Sequence, residues 1–240
     1  MFTFYCLQEE NKNIIKIYAS DSGYLYSVDE EAIGKFIGEN GLNLFIRYKA
    51  GDYLVKGMHV ADLTDLANDK KMDKDLIYKI TNAFIYSETL NDKNDYHHEI
   101  KNLIEIALRA ISPGINDPNT AIICIRKISM ILNLLFSIKS NYSVVEINKK
   151  SKIIYKMYTV EEELYYTFYQ LIFYGKSDPS VAKAILNGVN LIYINTQGNY
   201  SSEVKKFYDY VYSVCLDSMN TELDKKHIES LKENFYEFVE

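Results

Sequence analysis

The stretch Leu103–Ala121, LIEIALRAISPGINDPNTA, constrains this chain more than any other. It holds two of the three prolines, Pro113 and Pro118, and two of the three arginines, Arg109 and Arg126, stand on either side of its turn. A proline inside a helix removes a hydrogen bond and clashes with the preceding turn, whereas one at the first helical position costs nothing. Upstream, Ile100, Leu103, Ile104, Ala107, Leu108 and Ile111 recur with helical period and leave Lys101, Glu105 and Arg109 on the other face. The pattern predicts a helix from about Tyr96 to Ile111, stopped at Pro113-Gly114. A second helix follows from Pro118 to about Ser137, with Asp117 as its N-cap. That second helix is apolar on most sides, with Asn119, Arg126 and Asn133 as a polar stripe, and is expected to be the central buried helix.

At 240 residues and 48% hydrophobic, the chain can bury a sizeable core without metal or disulfide support. The net charge of −6 argues against nonspecific binding to nucleic acid or anionic lipid, which need a dense positive field. No nucleic-acid partner is expected. Lys149, Lys150, Lys152 and Lys156 cluster locally and read as a solvated hairpin. Cys6, Cys124 and Cys215 are odd in number and lack metal-type spacing, which suits a reducing cytosol, with Cys124 as a small buried hydrophobe. The N-terminus has no signal-peptide pattern, and no window offers about 18 uninterrupted apolar residues. The best window, Ala121–Ile138, carries Arg126, Lys127 and Asn133. The expectation is a cytoplasmic protein, or the cytoplasmic part of a membrane-anchored one, with no membrane insertion by this chain.

The pattern along the chain gives an α+β fold. A small β-rich lobe over 1–65 precedes a mainly helical domain over 66–240, with a β-hairpin inserted near 142–158. In the lobe, strands are expected at Asn13–Tyr18, Tyr24–Val28, Leu42–Tyr48, Tyr53–Val55 and His59–Leu63, and Asp29 caps a helix over Glu30–Ile37. The run Gly51–Val60 resembles the edge hairpin of barrel-sandwich (biotinyl/lipoyl-like) domains in shape, without their carrier lysine motif. Leu66–Asp73 reads as a linker. Asp73 is expected to cap a helix over Lys74–Tyr86, and Leu90–Asp95 reads as a polar turn. Thr159-Val160-Glu161-Glu162 is a capping-box start to a helix whose Tyr165, Tyr166, Phe168, Tyr169, Phe173 and Tyr174 form a stripe expected in the core. Asp178-Pro179 repeats the Asp117-Pro118 helix start, and two further helices are expected over Ser202–Met219 and Glu222–Phe238.

The run Ile106–Pro118, IALRAISPGINDP, closely resembles the signature of a bacterial family of predicted membrane proteins known as domain of unknown function 2254. Ser22-Gly23-Tyr24-Leu25, Gly51–Val55 with Gly57, and Tyr174-Gly175 with Asp178–Val181 are similar to its outer patterns, so the likeness runs from about Ile14 to Met219. Members typically begin with transmembrane helices, and this chain shows none at its start. The resemblance therefore implies a free-standing soluble relative or the soluble part of a longer protein. The family's Arg-Thr pair upstream of the central helix is missing, since no arginine occurs between Arg47 and Arg109. Asn94-Asp95 matches its following Gln-Asp element. The resemblance implies no reaction and no cofactor.

The proline corner is the one candidate site. Arg109 lies at a helix C-terminus; Asn116, Asp117 and Thr120 lie at the next N-terminus, where free N–H groups and the helix dipole favour an anion. Arg109 is placed to add a bidentate contact, with Ser112 and Asp95 nearby in the pattern. The ligand-binding set is therefore Arg109, Ser112, Asn116, Asp117, Thr120 and Asp95, for a small phosphate- or carboxylate-bearing ligand. A rigid helix-to-helix connection, with Arg109 paired to Glu105, explains the same residues. Asp95, His97, His98 and Glu99 are the only cluster of ligand-type side chains, but they lack H-x-x-x-H spacing, so no metal is expected. The functional expectation is a noncatalytic sensory or regulatory module. The alternatives are a hydrolase using Asp95 and Asp117 as acid–base groups, or a structural protein built as a homo-oligomer.

Overall fold

In the computed structural model, which describes residues 14–65, 74–89, 96–138, 142–196 and 200–237, β-branched alternation produces the N-terminal strands. These are β1 (Ile14–Tyr18), β2 (Gly23–Val28), β3 (Leu42–Ile46), β4 (Tyr53–Leu54) and β5 (His59–Asp65). Asp29 accepts the Ala32 amide and caps α1 (Glu30–Asn40), which Gly41 ends at φ 69°. Cys6, the Leu66–Asp73 linker, the Asp73 cap and the Leu90–Asp95 turn lie outside the described residues.

The chain divides into two compact units, residues 1–93 with 140–157, and 94–139 with 158–240. The boundary expected at residue 65 therefore moves. The helix expected over Lys74–Tyr86 is α2 (Lys74–Asn82) followed by a strand, β6 (Phe84–Ser87), which pairs antiparallel with β2. Ile80, Ala83 and Phe84 are buried together, so the helical stripe was real but its last turn is extended.

The hairpin also changes place. β7 (Tyr142–Asn148) and β8 (Ser151–Lys156) pair with each other, and β8 runs parallel to β3, so both join the first unit's sheet rather than the helical domain. The result is a mixed sheet ordered β1-β5-β3-β8-β7, beside a smaller sheet ordered β4-β2-β6. Gly51–Val60 is not a hairpin, because β4 pairs with β2 while β5 pairs with β1 and β3. Its glycines do turn the chain as expected, at φ 92° and 88° for Gly51 and Gly57.

The second unit contains α3 (Tyr96–Ala110), α4 (Pro118–Ile138), α5 (Val160–Gly175), α6 (Pro179–Asn195), α7 (Ser201–Asp217) and α8 (Glu222–Glu237). Their shared core includes Ile100, Ile125, Ile128, Leu132, Leu164, Phe168, Ile185, Val189, Tyr208 and Phe235. Thr159 and Glu162 form the capping box at α5. The aromatic stripe of α5 splits. Phe168 is buried, whereas Tyr165, Tyr169, Phe173 and Tyr174 are exposed, because Leu164, Leu171, Ile172 and Gly175 already fill the core-facing positions of this helix. The central-helix expectation for α4 is corrected likewise. Ala121, Ile125, Ile128, Leu132 and Phe136 are buried, but Ile123, Met130 and Leu134 face solvent.

α4 and α6 run parallel at close approach. Ser129 lies against Gly188, and one turn on Asn195 Nδ2 donates to Asn133 Oδ1 at 2.7 Å. A methyl group at position 188 would overlap Ser129 Oγ and stand 3.2 Å from Ser129 Cβ. Ser129 is fully buried, with its hydroxyl donated to the Ile125 carbonyl, so it has little room to give. Gly188→Ala is expected to lower stability by about 1–3 kcal/mol through overpacking, read as a shift of the urea midpoint with an unchanged m-value.

Candidate functional site

The proline corner is a rigid turn. Ser112 donates its hydroxyl to the Arg109 carbonyl at 2.7 Å and accepts the amides of Ile115 and Asn116 on its own carbonyl. Asn116 takes the left-handed conformation, φ 49°, which asparagine tolerates better than most residues. The Asp117 amide then closes onto the Ala110 carbonyl at 2.8 Å. Asp117 accepts both the hydroxyl and the amide of Thr120, and these bonds hold its carboxyl below the usual range.

The anion expected at this N-terminus therefore has a competitor, since the Asp117 carboxylate occupies the place. Arg109 is exposed, and its side chain makes no hydrogen bond or ion pair with Asn116, Asp117 or any other described residue. The corner assembles Ser112, Asn116, Asp117 and Thr120 by backbone and capping bonds, and does not bring the Arg109 guanidinium into them. Asp95 lies outside the described residues. Among the described residues no three His, Cys, Asp or Glu side chains converge as a metal would require. Burial pushes the Cys215 thiol up to about 12 and the Cys124 thiol upward as well, so neither offers a thiolate at neutral pH.

Cations converge elsewhere. The first unit carries a pocket of about 670 Å³ lined by Phe45, Arg47, Tyr48, Met58, His59, Tyr142 and Lys156. At its edge the Asp62 carboxylate is held from two sides. Arg47 donates Nε to Oδ2 at 2.7 Å and adds its terminal nitrogen to the same oxygen, and His59 Nε2 lies 2.7 Å from Oδ1. Residues 59 and 62 would face opposite sides of a regular strand. A β-bulge brings them together: Ile17 pairs with Ala61 and Tyr18 with His59, so Val60 is the extra residue and the side-chain alternation shifts by one.

The parallel pairing of β3 with β8 sets Ile46 beside Tyr155, and the next residue of each segment, Arg47 and Lys156, lines the pocket. Lys156 in turn faces Tyr142 across the β7–β8 pair. The Phe45 and Tyr142 rings pack edge to face at 5.9 Å, giving the pocket an aromatic wall. Arg47 has a carboxylate partner, whereas Lys156 is exposed and has none among the described residues. Of the lysine cluster read as a solvated hairpin, Lys152 does pair with Glu146 on the surface, at 2.8 Å, but Lys156 lines the pocket. Sequence reasoning missed this constellation because neither the bulge nor the return of β8 to β3 has a local signature.

The second unit holds a buried carboxylate. Glu163 is fully buried in α5. His97 Nε2 approaches its Oε1 to 2.9 Å, and Tyr96 donates its hydroxyl to Oε2 at 3.2 Å. The rings of Tyr158 and Tyr166 flank His97 at 4.8 and 5.7 Å. The sequence pattern offers His97 only as a metal ligand and does not name Glu163 as its partner. A signal existed: Glu163 falls in phase with Leu164, Thr167, Phe168 and Leu171 on the buried stripe of α5.

The pattern of the predicted membrane protein family, domain of unknown function 2254, matches residues 6–190, so the chain belongs to that family. The matched span includes both the Arg47–Lys156 pocket and the proline corner. No curated protein and no solved structure matches the chain. Among the described residues one helix, α4 over Pro118–Ser137, is long and apolar enough to cross a membrane, with a mean hydropathy of 1.6. Its Arg126 and Lys127 would each cost about 2.5–3.5 kcal/mol at the centre of a span.

Glu163 and His97 form a pair whose partners lose more when separated than when both are replaced. Glu163→Ala is expected to cost about 3–5 kcal/mol, and the double change Glu163→Leu, His97→Leu to recover most of it, both measured by urea unfolding.

Proposed function

We propose that this chain is a noncatalytic sensory or regulatory module that binds a small phosphate- or carboxylate-bearing ligand in the pocket between β3, β8 and β7. The supporting observation is that Arg47, just past the end of β3, and Lys156, at the end of β8, line the same pocket, with Lys156 free of any ion pair among the described residues and the Phe45, Tyr48 and Tyr142 rings as walls. Asp62 fixes the Arg47 guanidinium and the His59 ring in position, which lowers the ordering cost of binding. The remaining guanidinium nitrogen and the Lys156 ammonium can share an anion, while the aromatic wall suits a planar group attached to it. Arg47 and Lys156 are favoured over Arg109 as the anion contacts, because the Asp117 carboxylate already caps the helix at the proline corner.

Differential scanning fluorimetry against nucleotides and phosphorylated metabolites tests the proposal. A ligand at 100 times its dissociation constant stabilises by about 2.7 kcal/mol, a shift of several degrees. Lys156→Gln is expected to leave the ligand-free melting temperature unchanged and to abolish the shift, while Arg109→Ala preserves it. A shift that survives Lys156→Gln, or that vanishes in Arg109→Ala, would move the ligand away from this pocket.

A further inference from the structure

The two parallel helices of the second unit share an unusual charge pattern. α4 and α6 span 21 and 17 residues and contain no aspartate or glutamate, in a chain that carries 33 acidic residues. Their charged residues are Arg126, Lys127 and Lys183. Between the helices runs a groove of about 500 Å³ whose lining includes Arg126 and Lys183 and no carboxylate. The solvent face beside it is apolar. Ile123, Met130 and Leu134 recur along one stripe of α4 with Lys127 among them, and Leu191 and Ile194 are exposed on α6. Met130 and Leu134 are 63% and 68% exposed.

We infer that the α4–α6 face docks on an anionic phospholipid surface, with its three cations among the headgroups and its exposed aliphatic side chains at the acyl boundary. Charge complementarity selects this occupant. A second copy of the chain would place three cations against the same three cations across a two-fold axis, and these two helices supply no carboxylate to neutralise them. Aliphatic residues interleaved with lysine and arginine are the composition of helices that lie in the interfacial plane. The helix that qualifies as a span by length and composition thus rests on the bilayer with its other side packed in the protein core: Ile125, Ile128 and Leu132 are fully buried. The overall charge of −6 opposes approach to an anionic surface, so binding is local, oriented and weakened by salt.

Co-sedimentation of the full chain with vesicles tests this inference. Binding is expected to an equal mixture of phosphatidylglycerol and phosphatidylcholine and not to phosphatidylcholine alone. The triple change Arg126→Gln, Lys127→Gln, Lys183→Gln should weaken it about a hundredfold. Met130→Ser with Leu134→Ser should weaken it independently, and both variants should keep the far-UV circular dichroism of the parent. Equal binding to both vesicle types, no binding to either, or full binding by the triple variant would each overturn the inference. So would a dimer in sedimentation velocity that Leu134→Arg dissociates, because a second copy would then cover the face. Lys156→Gln should bind vesicles as the parent does, which separates this surface from the ligand pocket.

Discussion

The close approach of α4 to α6 is the contact on which the helical unit depends. It requires a residue without a side chain at Gly188 and a small, internally satisfied one at Ser129. With the two axes drawn together, Ile125, Ile128, Ile185 and Val189 bury against one another with almost no surface left. The parallel direction also puts both Asp-Pro helix starts at the same end of the pair, where two positive dipole ends lie side by side. Asp117 and Asp178 each cap their own helix, Asp178 accepting the amides of Ser180 and Val181. The proline corner is thus explained by the packing it serves, because a floppy junction could not hold α4 in register with α6 over this length.

A second constraint governs three carboxylates, two of them buried and one a helix cap at the surface. Asp62, Asp117 and Glu163 are all engaged, by a guanidinium and an imidazole, by a helix N-terminus, and by an imidazole and a phenol respectively. A carboxylate withdrawn from water needs such partners, so these contacts are what permits the burial of Asp62 and Glu163. The same contacts leave the Lys156 ammonium and one Arg47 guanidinium nitrogen with bonding capacity to spare in that pocket. An anion is held by donors in excess of acceptors, so the cations of this pocket, rather than the more numerous acidic residues of the chain, carry its binding capacity.

Local rules made most of the elements legible. The Asp29, Asp117, Asp178 and Thr159 caps and the periodicity of α3 all follow from chemistry within one turn of helix. What escaped was non-local. Phe84-Ile85-Tyr86 continues a helical stripe yet becomes a strand, because β2 offers an open edge. Ser151–Lys156 has a strand pattern, but nothing in it names β3 as its neighbour. The pocket suffers twice, since it needs that neighbour and also the Val60 bulge that turns His59 and Asp62 to one side. The buried Glu163 was within reach, because an acid in phase with an apolar stripe is a conflict that periodicity alone exposes.

The distribution of charge resolves a tension between the acidic chain and the description its family carries. A protein with net charge −6 and a span-like helix looks contradictory if charge and hydropathy are averaged over the sequence. Resolved by element, the acidic residues avoid α4 and α6 entirely, and the cations of those helices share a face with exposed aliphatic side chains. An ordinary core helix shows its polar residues on the solvent side; α4 instead shows Ile123, Met130 and Leu134 there. The apolar residues of this helix are therefore divided between the protein core, with Ile125, Ile128 and Leu132, and the solvent side, with Ile123, Met130 and Leu134. That division is what a helix lying along a bilayer requires, and it differs from a span, which would set lipid against all sides not covered by other helices.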